Sequence, residues 1–301
     1  MDNSLSSESY QVRLIGDNTI TNLIKQGYAL LEATSDSAKL DVEILLSSVL
    51  NKDRSYLLTW PEKSLSDEQL HAFLQILVRR IQGEPIAYII GVKEFWSLPL
   101  AVSKATLIPR PDTETLVESV LEQFQGKDNI NCLDLGTGTG AIALALASEN
   151  PTWNVSGLDF NMEAVALAQL NAKNCQLPQV NFFQSDWFSN VEANKKFDLI
   201  VSNPPYIDCE DSNLTQGDVR FEPNSALIAS DNGLADIKHI ANIARSFLTE
   251  QGQLFFEHGF AQAEAVRNIL TGLGFDNPKT EQDLNGHDRI TWATFLNNKL
   301  N

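Results

Sequence analysis

Short apolar runs alternate with amphipathic segments in the larger, C-terminal part of the chain. A short run rich in β-branched or aromatic residues predicts a strand, and apolar residues that recur every three or four positions predict a helix. The predicted strands are 130–135, 154–159, 179–184, 197–202, 252–257, 274–280 and 290–296. The predicted helices are 113–124, 140–149, 162–173, 233–248 and 260–272. This alternation predicts an α/β domain with a seven-stranded, mostly parallel sheet, and the closely spaced last two strands indicate an antiparallel edge.

Residues 17–83 show only the helical pattern, which predicts a small helical bundle. The predicted helices lie at 19–31, 38–50, 53–60 and 66–82. Ser66 and Gln69 have the spacing of a capping box at the start of the last helix, and Gly83 is its expected C′ residue. The bundle contains no residue pattern typical of catalysis. It is therefore either a structural appendage or a surface that recognises a partner.

Two other segments flank the bundle. Residues 1–16 are polar and predict a loose tail. Residues 84–112 predict a linker with a short hairpin around Ser97 and a rigid stretch in which two prolines hold Arg110. The predicted organisation is thus a tail at 1–16, a helical bundle at 17–83, a linker at 84–112 and an α/β domain at 113–301.

Composition narrows the class of protein. No apolar run has the roughly 20 residues of a membrane span, and the polar N-terminus argues against a secretory signal. The three scattered cysteines predict reduced thiols in a cytoplasmic protein, and no metal-ligand spacing appears. The net charge of −17 without a run of basic residues disfavours a nucleic-acid substrate.

Polar residues that suit a nucleotide-like ligand follow four successive predicted strands of the α/β domain. The first strand leads into the glycine loop Gly136-Thr137-Gly138-Thr139-Gly140, which lets a ligand approach the backbone closely. Asp159 ends the second strand and can accept hydrogen bonds from both ribose hydroxyls. After the third strand, Asp186 can meet an adenine amino group and Trp187 can pack near the ring. The glycine loop by itself is also typical of dinucleotide-binding domains.

The fourth strand ends in the run Asn203-Pro204-Pro205-Tyr206. The prolines fix the backbone in a stiff corner that displays the Asn203 side-chain oxygen and the Pro204 carbonyl, and Tyr206 adds an aromatic face. Such a corner suits a planar NH2 group, which offers two N–H donors in one plane. Amides and adenine amino groups both have this shape. For the corner taken alone, a simple turn after a strand is an equal alternative.

Asp134 before the glycines, the GxGxG spacing and the Asn-Pro-Pro-Tyr corner together resemble the S-adenosylmethionine-dependent methyltransferases that act on planar NH2 nitrogens. Within that class, the chain resembles the release-factor glutamine N5-methyltransferases, the PrmC/HemK family, from about residue 17 onward. The matching stretches include Gly83 to Tyr88, Glu94 to Leu98, Leu107 to Glu114, Asp134 to Gly140, Asn203 to Tyr206, Phe221 to Pro223, and Asp283 to Gly286 with Arg289. The most specific of them is the Pro-Arg-Pro-Asp-Thr-Glu run.

The resemblance implies a Rossmann-like methyltransferase domain and an N-terminal domain that helps hold a class 1 peptide chain release factor. S-adenosyl-L-methionine is the implied cofactor, S-adenosyl-L-homocysteine the product, and the glutamine of the release factor's Gly-Gly-Gln motif the methyl acceptor. The implied cofactor residues are Gly136, Thr137, Gly138, Thr139, Gly140, Asp159, Trp187 and Asn203. Asp186 is added to this set because it follows the third predicted strand. The implied substrate residues are Asn203, Pro204, Pro205 and Tyr206, with Asn203, Pro204 and Tyr206 in catalytic roles.

Other functions remain open at this stage. A sister family that methylates a ribosomal-protein glutamine shares the Asn-Pro-Pro-Tyr corner, and adenine-N6 methyltransferases of DNA or RNA share the corner and the glycine loop. A non-enzymatic binding module with the same fold is a third alternative. In the favoured interpretation the protein is a monomer that needs no side chain as a base. Glu114, Glu222 and Glu257 are then expected to cap helices or brace loops.

Overall fold

The computed structural model describes residues 16–296. The predicted tail at 1–16 lies outside the described residues except for Gly16, as does the end of the chain after residue 296. Two compact units divide the chain between Gly91 and Val92. This division places residues 84–91 with the first unit and residues 92–112 with the second. The separate linker at 84–112 stays a prediction.

The first unit contains five helices in its described part, and the strongest predicted feature, the capping box, is present. The helices are α1 (Ile20–Leu31), α2 (Ala38–Leu50), α3 (Arg54–Thr59), α4 (Asp67–Ile81) and α5 (Ile86–Ile90). At the start of α4 the Gln69 N–H donates to the Ser66 hydroxyl at 3.2 Å, and the Ser66 N–H donates to the Gln69 side chain at 3.0 Å. The pattern did not predict α5, because five consecutive apolar or aromatic residues are too few to show a helical repeat.

A single apolar cluster holds the first unit together. Its fully buried members include Leu23, Val42, Phe73 and Leu77. Gly27 lets α1 approach α2 closely, since a Cβ atom there would lie 2.8 Å from the Val42 side chain. The apolar periodicity that predicted the helices therefore marks the faces that pack together.

The second unit has the predicted alternation of strands and helices. Its strands are β1 (Val92–Phe95), β2 (Leu98–Ala101), β3 (Asn131–Leu135), β4 (Asn154–Asp159), β5 (Asn181–Gln184), β6 (Phe197–Ser202), β7 (Leu248–Glu257), β8 (Phe275–Gln282) and β9 (Asp288–Phe295). Its helices are α6 (Glu114–Gln123), α7 (Ala141–Glu149), α8 (Met162–Asn174), α9 (Ser230–Gly233), α10 (Ala235–Ala244) and α11 (Ala263–Gly272). The single helix predicted at 233–248 was wrong at both ends. Gly233 has a positive φ of 78° and α10 begins at Ala235, whereas at the other end the helix stops at Ala244 and Leu248 already belongs to β7.

Strands β1 and β2 form the predicted hairpin, and the other seven strands form one sheet in the order β5-β4-β3-β6-β7-β9-β8. Strands β3 to β7 are parallel to one another, whereas β9 runs antiparallel to both β7 and β8. The antiparallel arrangement confirms the prediction, but the last strand of the chain lies inside the sheet and β8 forms its edge. Ser202 is in register with Leu135 on one side and Phe256 on the other. The carboxyl ends of β3, β6 and β7 therefore meet at one rim.

Alternate residues of the central strands face two apolar cores. Cys132, Val155 and Phe255 belong to the core that packs under α6, α7 and α8. Leu133 and Phe256 belong to the core under α10 and α11. The period of two follows from the strand pleat. It also determines that Glu257 points to the same side of the sheet as Phe255, which is the side of α6.

Candidate active site

A cavity of about 460 Å³ opens at the carboxyl ends of β3, β4, β5 and β6. This volume is within the usual range for small-molecule sites, about 300–1,000 Å³. The predicted site residues on its wall are Gly136, Thr137, Gly138, Thr139, Asp159, Asp186, Trp187, Asn203 and Pro205. Gly140, Pro204 and Tyr206 are not part of the wall. The open sheet therefore gathers most of the predicted positions in one place, as expected for strand ends at a switch point.

The glycine loop between β3 and α7 follows a path that favours glycine at three positions. Gly136, Gly138 and Gly140 all have positive φ, at 70°, 54° and 83°. At Gly140 a Cβ atom would lie 3.0 Å from Phe182, so this glycine serves packing rather than the cavity. At Gly136 a Cβ atom would lie at an ordinary contact distance of 3.8 Å from the Trp187 ring, so the positive φ is what favours glycine there.

Asp134 at the end of β3 stabilises the glycine loop. Its side chain is fully buried and accepts a hydrogen bond of 2.6 Å from the Thr137 hydroxyl. Burial raises the pKa of this carboxyl to about 7, against the influence of Thr137, which lowers it. The residue therefore shapes the loop and does not itself line the cavity.

Asp159 ends β4 and faces the cavity beside the loop. One carboxylate oxygen accepts the Gly138 N–H at 2.9 Å, and the other accepts the Asn161 N–H at 2.8 Å. Burial raises its pKa, and these two backbone donors oppose the shift. Because each carboxylate oxygen has more than one lone pair, both can still accept hydrogen bonds from a ligand.

The wall beyond β5 carries Asp186 and Trp187, and a carboxylate that the sequence analysis missed. Asp236, in the first turn of α10, also lines the cavity. Its pKa is raised, mainly by burial, and nearby Asp186 adds to the shift. No local pattern marks Asp236, because it follows a long irregular segment rather than a strand.

The Asn-Pro-Pro-Tyr corner continues from β6, and Ser202 anchors it by donating a hydrogen bond of 2.8 Å to the Leu135 carbonyl. The Asn203 side-chain NH2 donates to the Thr113 hydroxyl at 3.3 Å. The Tyr206 hydroxyl donates to Glu257 at 3.3 Å. Asn203 thus borders the cavity, and Tyr206 is tied to the end of β7.

The three glutamates that are expected to cap helices or brace loops, Glu114, Glu222 and Glu257, have contacts of that kind. Glu114 accepts the Trp96 N–H at 2.8 Å and so ties the β1–β2 hairpin to α6. Glu222 forms an ion pair of 2.7 Å with Arg110, another wall residue that sequence reasoning left unassigned. Burial raises the pKa of both Glu222 and Glu257 to about 7. Only a contact map could reveal these pairs, since Arg110 and Glu222 are 112 positions apart.

The residues present fit a ligand that contains a nucleoside. Gly157 of β4 has no side chain, and a Cβ atom there would lie only 2.7 Å from the Thr137 hydroxyl. The glycine loop can therefore pack directly against β4. The loop leaves room for a ligand against its backbone, Asp159 offers acceptors for ribose hydroxyls, and Trp187 offers an aromatic face. A seven-stranded sheet with this site defines an S-adenosylmethionine-dependent methyltransferase with a Rossmann-like domain.

Comparison with known proteins gives the family. Residues 22–91 match the model of the PrmC N-terminal domain, and residues 111–220 match that of the methyltransferase small domain. A Vibrio cholerae protein named release factor glutamine methyltransferase is 56% identical, over 88% of this chain and 93% of its own. A protein of the same name from Aliivibrio fischeri is 55% identical, over 87% of this chain and 92% of its own. The chain belongs to the release factor glutamine methyltransferase family, and its cofactor is S-adenosylmethionine.

Solved structures agree on the fold. The catalytic domain of hMettl16, solved in complex with MAT2A 3′UTR hairpin 1, superposes with a TM-score of 0.56. The match covers 79% of this chain and 85% of that one at 15% sequence identity, so it concerns the fold alone. Within residues 16–296, no helix combines the length and apolar character needed to cross a membrane.

Proposed function

We propose that this protein transfers a methyl group from S-adenosylmethionine to the side-chain nitrogen (N5) of the glutamine in the Gly-Gly-Gln motif of class 1 peptide chain release factors. The observation that carries the proposal is the place of Asn203, on the wall of the cavity that also contains Asp159 and the glycine loop. The names of the relatives that are 48–56% identical to the chain support the same substrate.

The cofactor half of the site is assigned to the glycine loop and to the ends of β4 and β5. Gly136 to Gly140 form the turn that admits the ligand, and Asp159 accepts hydrogen bonds from the ribose hydroxyls. Asp186 meets the adenine amino group, and Trp187 packs near the ring. When bound, S-adenosylmethionine supplies an electrophilic methyl group on a positively charged sulfur.

The acceptor half of the site is assigned to the Asn203-Pro204-Pro205-Tyr206 corner. The Asn203 side-chain oxygen and the Pro204 carbonyl accept the two N–H groups of the substrate amide, and Tyr206 packs against it. An amide nitrogen is a poor nucleophile because its lone pair is shared with the carbonyl. Acceptors fixed in advance orient this nitrogen and stabilise the positive charge that builds on it.

No side chain is required as a base before methyl transfer. The methylated amide nitrogen is acidic and releases its proton to water. Glu222 is engaged by Arg110, and Glu257 accepts a hydrogen bond from Tyr206, so both have bracing contacts that do not depend on proton transfer.

The helical bundle at 17–83 is assigned to recognition of the release factor, and the α/β domain at 113–301 to the chemistry. We infer a cytoplasmic monomer that does not act directly on nucleic acid. The net charge of −17 supports this last point, because the phosphate backbone favours basic surfaces.

Mass spectrometry of methylated substrates tests the proposal. The protein is incubated with isotopically labelled S-adenosylmethionine and, in parallel, with release factors, ribosomal proteins and adenine-containing DNA and RNA. The label is expected on the Gly-Gly-Gln glutamine, and a release factor with glutamate at that position is expected to stay unlabelled, since it offers no N–H pair. Label on a ribosomal-protein glutamine or on adenine, with none on the release factor, would overturn the assignment.

A further inference from the structure

A buried carboxyl lies beneath the acceptor corner and belongs to none of the motifs that define the site. Glu257 is the last residue of β7 and is only 1% exposed. Ser202 is in register with Phe256, so Glu257 lies alongside Asn203 where the two parallel strands end. The strand pleat turns its side chain toward α6 and the segment before it, which contains Thr113.

The Glu257 carboxyl contacts Tyr206 directly and is connected to Asn203 through Thr113. The Tyr206 hydroxyl donates to Glu257 Oε1 at 3.3 Å. The Thr113 hydroxyl lies beside the same carboxyl and lowers its pKa, opposing the burial that raises it. Thr113 in turn accepts a hydrogen bond of 3.3 Å from the Asn203 NH2 group. Thr113 is therefore the link between the carboxyl and the side chain assigned to hold the substrate amide.

The direction of these hydrogen bonds follows from the chemistry of the groups. A hydroxyl has one proton, and a neighbouring carboxylate attracts it. The Thr113 oxygen then presents a lone pair to Asn203, which must approach with its NH2 group. The Asn203 side-chain oxygen is left facing the cavity, where an acceptor is needed for the substrate N–H.

Burial raises the pKa of Glu257 to about 7, so the carboxyl is ionised above that pH, and Arg289 favours the ionised form. Arg289, one residue into β9, lies close enough to lower the pKa of Glu257 and is held by hydrogen bonds of 3.3 Å to Asp283. Arg289 also donates to the His258 carbonyl at 3.3 Å. Asp112 opposes this effect from the segment before Thr113. Arg289 itself forms ion pairs with Asp283 at 3.3 Å and with Asp112 at 3.8 Å, and one Glu257 oxygen has no hydrogen-bond partner among the described residues.

We propose that Glu257 is a positioning residue of the acceptor corner. Through Thr113 it turns the Asn203 amide so that its oxygen faces the substrate, and through the Tyr206 hydroxyl it fixes the aromatic side chain of the corner. The inference rests on the proposed function, because it specifies how the corner is held for an amide substrate. It also explains the pairing of Arg289 with Asp283, which no cofactor or acceptor role requires: Asp283 holds Arg289 where its charge lowers the pKa of Glu257.

The first test compares Glu257→Gln, Thr113→Val and Thr113→Ser in the full-length protein. Glu257→Gln and Thr113→Val are expected to lower kcat for a release factor by about 10²-fold, the usual effect of a misplacement near 1 Å. The Kd of S-adenosylmethionine, measured by calorimetry, is expected to change less than threefold. Thr113→Ser keeps the hydroxyl and is expected to retain kcat within about threefold. Equal losses for Thr113→Ser and Thr113→Val, or wild-type kcat in Glu257→Gln, would contradict the proposal.

The second test does not depend on which substrate is methylated. Crystal structures of the wild type and Glu257→Gln with S-adenosylhomocysteine show the Asn203 side chain directly. Asn203 is expected to rotate away from Thr113 in the variant only. An unchanged Asn203 in the variant refutes the positioning role even if release-factor methylation is confirmed. A rotated Asn203, with no methylation of the release factor by the wild type, supports the positioning role and refutes the proposed function.

Discussion

At the residue scale, a single substitution at Asp159 tests the cofactor half of the site. Its carboxylate holds the Gly138 N–H and is assigned to the ribose hydroxyls. Asp159→Ala is expected to weaken S-adenosylmethionine binding by about 1.5–3 kcal/mol, through loss of two charge-assisted hydrogen bonds. Calorimetry measures the change, with Glu192→Ala as the control for loss of an exposed carboxylate. Unchanged affinity in a folded Asp159→Ala variant would remove the residue from the site.

A substitution at Asn203 tests the acceptor half of the site through its effect on the rate of methyl transfer. Asn203→Ala removes the acceptor for one substrate N–H and leaves that N–H unpaired in a desolvated site. The loss of one preorganised partner of this kind typically costs about 10²–10³ in rate. Steady-state assays on a release factor measure kcat, and Asn203→Asp, which keeps an acceptor but adds charge, is expected to lie between Asn203→Ala and wild type. Full activity in Asn203→Ala would disprove the mechanism without affecting the family assignment.

At the element scale, the fully buried Asn171 joins three parts of the second unit. From α8, its side chain accepts the Ala101 N–H at 2.8 Å and donates to the Ala101 carbonyl at 3.0 Å. It also donates to the Thr139 carbonyl of the glycine loop at 2.9 Å. The hairpin, the helix and the cofactor loop therefore depend on one amide.

Asn171→Leu has a similar volume but leaves three backbone groups without their partner. A buried unpaired group costs about 1–3 kcal/mol, so the free energy of unfolding is expected to fall by at least about 3 kcal/mol. Urea denaturation measures it. Asn174→Leu, on the exposed side of the same helix, is the matched control and is expected to change stability by less than about 0.5 kcal/mol. Similar losses for the two variants would show that Asn171 does not join these elements.

The elements that the sequence predicted well are those whose side chains repeat with a clear period. Strands 154–159 and 197–202 coincide with β4 and β6, because their apolar runs end at strong stop signals, Asp159 and the two prolines. The short helix α5 was not predicted because it is too short to show a period. The irregular stretch before α10 also escaped prediction, since its conformation depends on tertiary contacts such as the Arg110–Glu222 ion pair.

At the scale of the whole molecule, three buried carboxyls make stability depend on pH. Asp134, Glu222 and Glu257 each have a pKa of about 7 in the folded state, against about 4 in an unfolded chain. Between these values the folded state binds more protons, so stability falls as the pH rises. Urea unfolding is expected to give a higher free energy at pH 5.5 than at pH 8.

General repulsion in a chain of net charge −17 also lowers stability as the pH rises. The variant Glu257→Gln separates the contribution of one buried carboxyl from this general effect. Its stability is expected to vary less between pH 5.5 and pH 8 than that of the wild type. An identical pH dependence would mean that Glu257 is not protonated in this range.

The division after Gly91 allows the two compact units to be tested separately. Residues 92–301 include both apolar cores of the α/β unit and are expected to bind S-adenosylmethionine with unchanged affinity. Their kcat/KM on a whole release factor is expected to fall more than about tenfold, because the recognition surface is absent. A short Gly-Gly-Gln peptide is the control and should react equally with both forms. Full activity of the truncated protein on the release factor would reduce the helical unit to an appendage.

The position of β9 between β7 and β8 also affects how the protein is made. During synthesis, β7 emerges with nothing to pair with on one side until residues 288–295 leave the ribosome. The five residues of β7 that later pair with β9, Gln253 to Glu257, include Leu254, Phe255 and Phe256, and this open edge is a ready template for association with other nascent chains. Arg289, whose positive charge lowers the pKa of Glu257 in the finished protein, arrives in the same late segment. The acceptor site is therefore among the last parts of the molecule to become functional, and a chain stalled before residue 288 would be both inactive and exposed to aggregation.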